Sequence, residues 1–163
     1  MTLTLSFGKI DEACALMREV AAWGRGMGFR VWPDAWLTRE ALLADGAQAS
    51  EFCIGSVDGE PACAFLLKWE DAEWWPDAPP LEAAYIHKLC VRRSFAHQSM
   101  TKAVVEAVKA ECRKKGVQYI RLDTALDETK VKQIYLDCGF RIVRTIDLPS
   151  GRSMALYEIQ TAT

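Results

Sequence analysis

Histidine, long apolar runs and paired cysteines are scarce in this sequence, and each scarcity argues against a class of protein. Two histidines leave little material for a zinc site with imidazole ligands. The six cysteines form no Cys-x-x-Cys pair, so we predict reduced core thiols. No apolar run approaches the length that spans a bilayer, and the N-terminus shows no signal-peptide pattern. We therefore expect a cytoplasmic protein that needs no metal.

Excess charge of one sign is also missing. The net charge is -2 at pH 7, whereas binding to a nucleic-acid backbone or an anionic membrane needs clustered positive charge. We expect neither partner. A chain of 163 residues, 50% hydrophobic and 26% charged, is typical of a globular protein and suits one domain over residues 1–163.

The glycine fingerprint of dinucleotide-binding folds is absent as well. The one glycine cluster, Gly24, Gly26 and Gly28, follows a helical pattern instead of a strand. We interpret it as the stop of that helix and a flexible turn.

What the sequence does contain is a strand–helix–strand–helix unit between Ala83 and Phe140. The segment 83–91 is rich in β-branched and aromatic residues, and 119–122 is a second short strand. The intervening helix, before Gly116, shows an apolar stripe at Val104, Val108 and Cys112. The second helix, before Gly139, shows one at Val131, Ile134, Tyr135 and Cys138. The loop after the first strand leads into a helix start, which favours an anionic ligand there.

The flanking segments complete the order βααβββαβαββ. They are a strand at 2–7, a helix from Ile10 to Trp23, a second helix from Asp34 to Gly46, strands Glu51–Val57 and Ala62–Trp69 joined by Asp58-Gly59, a proline-rich loop Trp74–Pro80, and strands Phe140–Ile146 and Ser153–Ile159. This order predicts an α/β (mixed α+β) fold: one mixed, mostly antiparallel sheet flanked by helices.

Three segments together resemble the GNAT family of N-acetyltransferases: Leu89-Cys90-Val91, Arg121-Leu122-Asp123-Thr124, and Tyr135-Leu136-Asp137-Cys138-Gly139-Phe140. The resemblance implies a single-domain GNAT-like fold and acetyl-CoA as co-substrate. It also implies transfer to a primary amine of a small molecule by direct attack in a ternary complex, with a homodimer as one possible assembly. The alternative is a degenerate member that binds CoA or another ligand as a sensor or interaction module without catalysis.

The resemblance also implies a set of cofactor-binding residues. The backbone of Leu89, Cys90 and Val91 would pair with the pantetheine arm. The loop of the family usually reads Arg/Gln-x-x-Gly-x-Gly/Ala; here the corresponding residues are Ala96, His97, Gln98, Ser99, Met100 and Thr101, followed by Lys102. Ser99 and Thr101 stand where the family has glycine, and Arg92, Arg93 and Lys102 could compensate by charge. Glu128 falls where many relatives have a cofactor-orienting Asn; its simpler role is a first-turn acid that complements the helix dipole.

Two residues are candidates for catalysis. Tyr135 matches the tyrosine of the family that protonates the departing thiolate, although its spacing alone favours a core tyrosine. His87 is a candidate base, because an imidazole is the side chain that ordinarily serves in acid–base chemistry near neutral pH, with a structural histidine as the alternative. The period of two places it on one strand face with Tyr85, Leu89 and Val91.

Aromatic side chains mark the expected acceptor site. Trp32, Trp74 and Trp75 lie in the two segments that, by the resemblance, border the acceptor pocket, and Tyr85 lies where the family often places a glutamate. Core packing accounts for the nearby Trp36 equally well.

Overall fold

The structure, a computed structural model, describes residues 2–162. Its helices and strands are β1 Thr4–Phe7, α1 Ile10–Gly26, α2 Arg39–Ala44, β2 Phe52–Val57, β3 Glu60–Lys68, β4 Ala83–Val91, α3 Met100–Lys115, β5 Tyr119–Ala125, α4 Thr129–Asp137, β6 Arg141–Asp147 and β7 Ser153–Gln160. Short 3-10 turns lie at Asp34–Trp36, Ala49–Glu51 and Arg93–Phe95. The predicted order βααβββαβαββ is confirmed.

The strands form one seven-stranded sheet in the order β1-β2-β3-β4-β5-β7-β6. The pairings β1–β2, β2–β3, β5–β7 and β6–β7 are antiparallel, and β4–β5 is parallel. The β2–β3 connection has positive φ at Asp58 and Gly59 (51° and 79°), which matches the two-residue hairpin turn that Asp-Gly predicts. The predicted mixed, mostly antiparallel sheet is therefore confirmed.

The chain divides into two compact units, one containing residues up to 67 together with 88–104, the other containing 68–87 together with 105 onward. In the first unit, Ala13, Met17 and Phe52 belong to one buried cluster and are fully shielded from solvent. In the second, Val108, Ile120 and Tyr157 are equally buried. Within residues 2–162, no helix is both long and apolar enough to cross a bilayer.

Helix α1 ends at Gly26, within the glycine cluster that the sequence predicts as its stop. Gly24, inside the last turns of the helix, lies against Val31, whose Cγ1 would be only 2.7 Å from a Cβ at that position. Gly24 is thus a packing residue. Gly28, with φ of 80°, makes the turn two residues beyond the helix end.

The predicted second helix is broken. The turn at Asp34–Trp36 ends at Leu37, and Thr38 starts α2 by accepting the N–H of Ala41 at 3.1 Å. Trp36 is 56% exposed, so its interpretation as a core residue is wrong. The stripe of α4 is also not a buried face: Ile134 is 47% exposed, and no residue of this helix is fully buried.

The six cysteines form no disulfide within residues 2–162, and all but Cys138 are buried. Burial raises the pKa of the Cys63, Cys90 and Cys112 thiols to about 12. Burial also raises the pKa of Cys14. These thiols carry very little thiolate at neutral pH.

We therefore expect a thiol reagent such as iodoacetamide to modify the native protein at Cys138 first. The thiolate is the reactive form, and only Cys138 among the six is partly accessible. All six cysteines should react in denaturant. Peptide mass spectrometry after timed labelling measures this, and rapid native labelling of Cys63 or Cys90 would contradict the described packing.

Candidate functional site

Strand β4 departs from regular strand geometry at Lys88, where φ is 58°. The parallel register of β4 with β5 runs from Ala83↔Tyr119 to Tyr85↔Arg121, upstream of that residue. A residue in the left-handed region interrupts the regular alternation of a strand, which is the basis of the predicted common face of His87 with Leu89 and Val91. That common face stays a prediction.

Trp32 is half-buried and packs against the core of the first unit. The Nζ of Lys88 lies 4.9 Å from the centroid of its ring, at cation–π distance. Trp32 is therefore already engaged with a cation in this structure. In the same unit, the Cys90 side chain is buried, and those of Leu89 and Val91 are half-buried.

The loop before α3 holds two exposed non-glycine residues at positive φ, His97 at 62° and Ser99 at 54°. With Lys88, three of the five such residues described in the chain lie within twelve positions of one another. Each costs about 1–2 kcal/mol, and strain of this kind concentrates at ligand clamps and active sites. Thr101 lies within α3 and is not at positive φ, so only one of the two expected glycine positions, Ser99, has the glycine-like backbone.

The loop is held by its neighbours in sequence. Gln98 donates from Nε2 to the carbonyl oxygen of Ser94 at 3.2 Å, and the carbonyl of Ser99 accepts the N–H of Ala103 at 3.1 Å, which starts α3. Met100 is buried and anchors the first turn, whereas Ala96 and Thr101 are half-buried. The N–H groups at the start of this helix are placed where an anion binds favourably.

Two of the three cations that the sequence predicts to compensate for the missing loop glycines already interact with other residues of the first unit. Arg92 pairs with Glu19 at 2.9 Å, and the Arg93 guanidinium carbon lies 3.7 Å from the centroid of the Trp23 ring. Lys102 is exposed in the first turn of α3 and makes no ion pair within residues 2–162. Lys102 is thus the cation best placed to meet a phosphate at the helix start.

In the second unit, the end of α4 explains the spacing of Tyr135, Gly139 and Phe140. Gly139 has φ of 100°; its N–H bonds to the carbonyl of Leu136 at 3.0 Å, and the N–H of Phe140 bonds to the carbonyl of Tyr135 at 3.1 Å. This pair of bonds is a Schellman motif, with its customary apolar contact between the Tyr135 and Phe140 rings at 5.9 Å. The helix terminus therefore fixes both the backbone and the ring of Tyr135.

A second ring holds Tyr135 from β7. The centroid of the Tyr157 ring is 5.7 Å away, and Tyr157 is fully buried. The Tyr157 hydroxyl is 2.9 Å from Oγ1 of Thr124. Burial raises the pKa of Tyr157, and the hydrogen bond with Thr124 offsets only part of that rise, so Tyr157 stays a neutral phenol. Tyr135 itself is half-buried and so retains some access to solvent.

Glu128 is the N-cap residue of α4 and makes no side-chain cap hydrogen bond. Its Oε1 lies 3.8 Å from the Arg152 guanidinium, and its side chain is 36% exposed. This position agrees with the simpler interpretation, in which the carboxylate complements the positive end of the helix dipole.

The imidazole of His87 lies between two carboxylates. Nε2 is 3.2 Å from Oδ2 of Asp71, and Nδ1 is 3.8 Å from Oδ1 of Asp123. The three side chains are 21%, 6% and 15% exposed, respectively. Asp71 and Asp123, neither of which was predicted as a site residue, thus flank the predicted base.

Asp71 also shapes the aromatic loop. Its Oδ1 accepts the N–H of Trp74 at 3.2 Å, and its carbonyl accepts the N–H of Trp75 at 2.9 Å. Trp74 and Trp75 are half-buried, and the segment 74–80 contains no helix or strand, as predicted. One aspartate thus connects the predicted acceptor loop to His87.

Trp75 lies between two arginines. The guanidinium carbons of Arg121 and Arg144 are 4.1 and 5.1 Å from the centroid of its ring, and Arg144 also donates to the carbonyl of Trp74 at 2.6 Å. A cavity of about 200 Å³ lies here, lined by Trp75, Pro76, Asp77, Ala78, Glu82 and Arg144. Its walls combine an aromatic face with carboxylates, which suits a small amphipathic ligand.

Tyr85 and Arg121 form a buried polar network behind this loop. Tyr85 is 2% exposed, and its hydroxyl accepts a hydrogen bond from Arg121 at 3.1 Å. Arg121 also pairs with Glu158 at 2.9 Å and Glu82 at 3.0 Å. Burial alone would lower the pKa of Arg121, but its hydrogen bonds with Tyr85 and Glu158 outweigh burial and raise the pKa. Tyr85 therefore lies beneath the Trp75 ring, 6.4 Å from it, and not on open surface.

A signal for Asp123 was present in the sequence. If the first two strands of the central unit pair in parallel, with Tyr85 beside Arg121, then His87 lies beside Asp123. The sequence gives no comparable reason to place Asp71 near His87. An aspartate that accepts the N–H of the residue three positions later is common in ordinary turns, so this pattern does not mark a site.

The model of the Acetyltransferase (GNAT) family matches residues 17–140, most of the chain. This chain belongs to the GNAT acetyltransferase family. The Uncharacterized N-acetyltransferase YesJ of Bacillus subtilis (strain 168) is 23% identical over 138 residues, which are 82% of this chain and 77% of YesJ. The predicted family is confirmed.

Solved GNAT structures share the fold. A GNAT family acetyltransferase from Listeria monocytogenes 4b F2365 has a TM-score of 0.75 at 21% identity, covering 97% of this chain and 94% of its own. The aminoglycoside acetyltransferase AAC(6')-Ib, solved in complex with coenzyme A and kanamycin, has a TM-score of 0.71 at 15% identity and covers 98% and 95%. At these identities the likeness establishes the fold, and the site rests on the residues described above.

Proposed function

We propose that this GNAT protein transfers an acetyl group from acetyl-CoA to a primary amine of a small molecule. The observation that supports the proposal is the fixed Tyr135, which the Schellman motif and two aromatic rings hold in place. Its role as proton donor is what the resemblance to the family implies. Acetyl-CoA use is supported by the neighbours solved with coenzyme A or acetyl-CoA. A small-molecule amine is supported by the neighbours solved with kanamycin or ribostamycin.

In this proposal the cofactor uses the first unit. The backbone of Leu89, Cys90 and Val91 pairs with the pantetheine amides, and the pyrophosphate binds at the strained loop and the start of α3, near Lys102. The backbone strain at His97 and Ser99 supports this placement, because a fold retains such costs where a ligand clamp needs them.

The chemistry is assigned to the second unit. His87 removes a proton from the acceptor ammonium group, the amine attacks the thioester carbon directly, and Tyr135 protonates the departing thiolate. Trp74 and Trp75 form the acceptor wall, and Tyr85 supports it from below. No covalent intermediate with the enzyme is required.

Acetyl-CoA turnover across a panel of amines tests the proposal. Thiol release, followed with a chromogenic disulfide, should be acetyl-CoA-dependent and should differ strongly among primary alkylamines, amino sugars, polyamines and aromatic amines. Mass spectrometry of the product should show one added acetyl group. Calorimetric binding of CoA without release on any amine would instead establish the second candidate, a CoA-binding module that does not catalyse transfer.

That second candidate has one observation in its favour. The loop positions at positive φ carry His97 and Ser99, where glycine would remove the strain. A loop that no longer needed to cradle a phosphate would be free to lose its glycines.

The two candidates predict different responses to glycine. We expect the double variant His97→Gly with Ser99→Gly to bind CoA as tightly as the wild type, or tighter by about 1 kcal/mol per position, because glycine relieves positive φ at some entropic cost. Isothermal titration calorimetry with CoA measures this.

Thr101→Gly is the matched control. Thr101 lies in the first turn of α3, so glycine there relieves no strain and weakens the helix by roughly 1 kcal/mol or less. If CoA binds only to the double-glycine variant, the natural protein is a degenerate member; if it binds to none of the proteins, the cofactor assignment is wrong.

A further inference from the structure

A buried carboxylate oxygen without an aligned donor lies beside the proposed base. The Asp71 side chain is 6% exposed, and its Oδ1 accepts the N–H of Trp74. Oδ2 has no aligned hydrogen-bond partner within residues 2–162, although Nε2 of His87 is 3.2 Å away. Burying an acceptor unpaired is unfavourable, so this pair indicates a site whose hydrogen bonds are completed in another state.

The second carboxylate faces the opposite nitrogen of the ring. Oδ1 of Asp123 is 3.8 Å from Nδ1, which is too long for a direct hydrogen bond. A donor nitrogen that carries two or more N–H bonds can reach both atoms from one side, at ordinary hydrogen-bond distance from each. The partial exposure of His87 and Asp123, 21% and 15%, leaves access for such a group.

We propose that Asp71, His87 and Asp123 form the receptor for the ammonium group of the acceptor, an inference that rests on the proposed function. Asp71 is a positioning residue: Oδ2 accepts Nε2–H of the imidazole, which leaves the lone pair on Nδ1. Nδ1 and the Asp123 carboxylate then accept two N–H groups of the same ammonium ion. The ligand is therefore an ammonium ion with at least two N–H groups, such as the primary amine of the proposed function, since a quaternary ion offers no N–H.

The proton transfer balances at this site. Nδ1 takes one ammonium proton, which gives a neutral amine and an imidazolium whose two N–H groups face Asp71 and Asp123. The amine lone pair forms the C–N bond as the C–S bond breaks and its electron pair leaves on sulfur. The amine loses its second proton to solvent, and Tyr135 protonates the thiolate and is reprotonated from solvent. His87 returns its proton to solvent, so each turnover releases one proton.

The positions of the two aspartates favour this role over a metal centre. Asp71 is closest to Nε2 and Asp123 is closest to Nδ1, and a single metal ion can coordinate only one of these two ring nitrogens. A proton-sharing site uses both nitrogens at once. A bound divalent cation is nevertheless a separate outcome of the test, because Asp71, His87 and Asp123 offer ligand atoms that all lie within 4.8 Å of one another.

Nitrogen-15 NMR of the imidazoles tests the ammonium site without turnover. The chain has two histidines, so a His97→Ala background isolates His87. We expect Nε2–H to be the protonated position of the neutral ring and n-butylammonium chloride to shift Nδ1. The trimethyl-n-butylammonium ion, with equal charge and no N–H, should leave Nδ1 unchanged. Asp71→Asn should alter the tautomer signal, and Asp123→Asn should abolish the response to n-butylammonium.

Steady-state kinetics with the best amine of the panel supply the second readout. Asp123→Asn should raise KM for the amine roughly tenfold or more, the loss of one charge-assisted hydrogen bond, with little change in KM for acetyl-CoA. Asp123→Glu should recover part of the loss. Asp147→Asn, an exposed aspartate of β6 in the same unit, is the matched control and should behave as wild type.

The outcomes separate this inference from the proposed function. Turnover with Asp71→Asn and Asp123→Asn indistinguishable from Asp147→Asn overturns the ammonium site and leaves the acetyltransferase intact. Equal Nδ1 shifts from the primary and quaternary ions, or none from either, also overturn it. A bound divalent ion that is lost in Asp123→Asn replaces it with a metal centre. A selective Nδ1 shift without turnover on any amine keeps the site and refutes the proposed reaction.

Discussion

Replacing Tyr135 with phenylalanine is expected to lower kcat by about 10²-fold or more while KM for acetyl-CoA stays within about a factor of two, because a positioned general acid contributes on this scale. The substitution removes the phenol proton and keeps the ring. The edge contact with Phe140 and the contact with Tyr157 involve only the ring, so packing at the end of α4 should persist. A fall in kcat without a change in cofactor binding is the signature of an interaction made in the transition state.

Tyr119→Phe is the matched control, since Tyr119 is a half-buried tyrosine of the same unit outside the proposed chemistry. It should retain wild-type kcat. The absence of a pre-steady-state burst of product must first establish that the acetyl transfer step, and not product release, limits turnover. With that established, equal kcat in wild type and Tyr135→Phe would exclude Tyr135 as the proton donor and leave it as the core tyrosine that its spacing alone favours.

Much of the fold can be predicted from local patterns in the sequence. Asp58-Gly59 predicts the hairpin, and the stripe of Val104, Val108 and Cys112 predicts the helix that buries all three residues. Gly139 predicts the end of α4, and its αL backbone forms the Schellman motif that fixes Tyr135. In each case one residue type has one strong local preference, and the structure uses it.

The features that the sequence did not predict have two physical causes. One is a contact between residues that are not adjacent in sequence, and the other is a backbone distortion at a residue type that does not favour it. Helix α1 extends beyond Trp23 to Gly26, and the close packing of Gly24 against Val31 has no signal in the local sequence. Lys88 has positive φ without being a glycine, so the strand pattern of the sequence gives no sign of this distortion.

The residues of the candidate site likewise fall into those that the sequence predicts and those that only the folded chain brings there. Tyr135 and the strained loop follow from motif positions, whereas Asp71 joins the site through a turn that any aspartate could make. Asp123 on β5 can be identified as the neighbour of His87 only from the parallel register of β4 and β5. The sequence predicts that the two strands pair but does not give their register. Motif residues can therefore be predicted, and the residues that orient them require the folded chain.

The largest stability effect is expected at Arg121. Arg121→Met should lower the free energy of unfolding by about 3–5 kcal/mol, because removing one partner of a buried ion pair leaves the other charge buried without compensation. Glu158 is 8% exposed and would lose its buried guanidinium, and the buried Tyr85 hydroxyl would lose its donor. For a chain of this length the melting temperature should fall by roughly 6 to 20 °C.

Arg141→Met provides a control on the same carboxylate. Arg141 pairs with Glu158 at 3.2 Å, but its side chain is 72% exposed, so its loss should cost about 1 kcal/mol or less. Adding Glu158→Gln to Arg121→Met should recover part of the stability, because the uncompensated charge is then removed. Urea denaturation of the three variants measures these differences. Equal effects of Arg121→Met and Arg141→Met would mean that Glu158 is solvated in the native protein and that the network beneath Trp75 is not the buried ion pair described here.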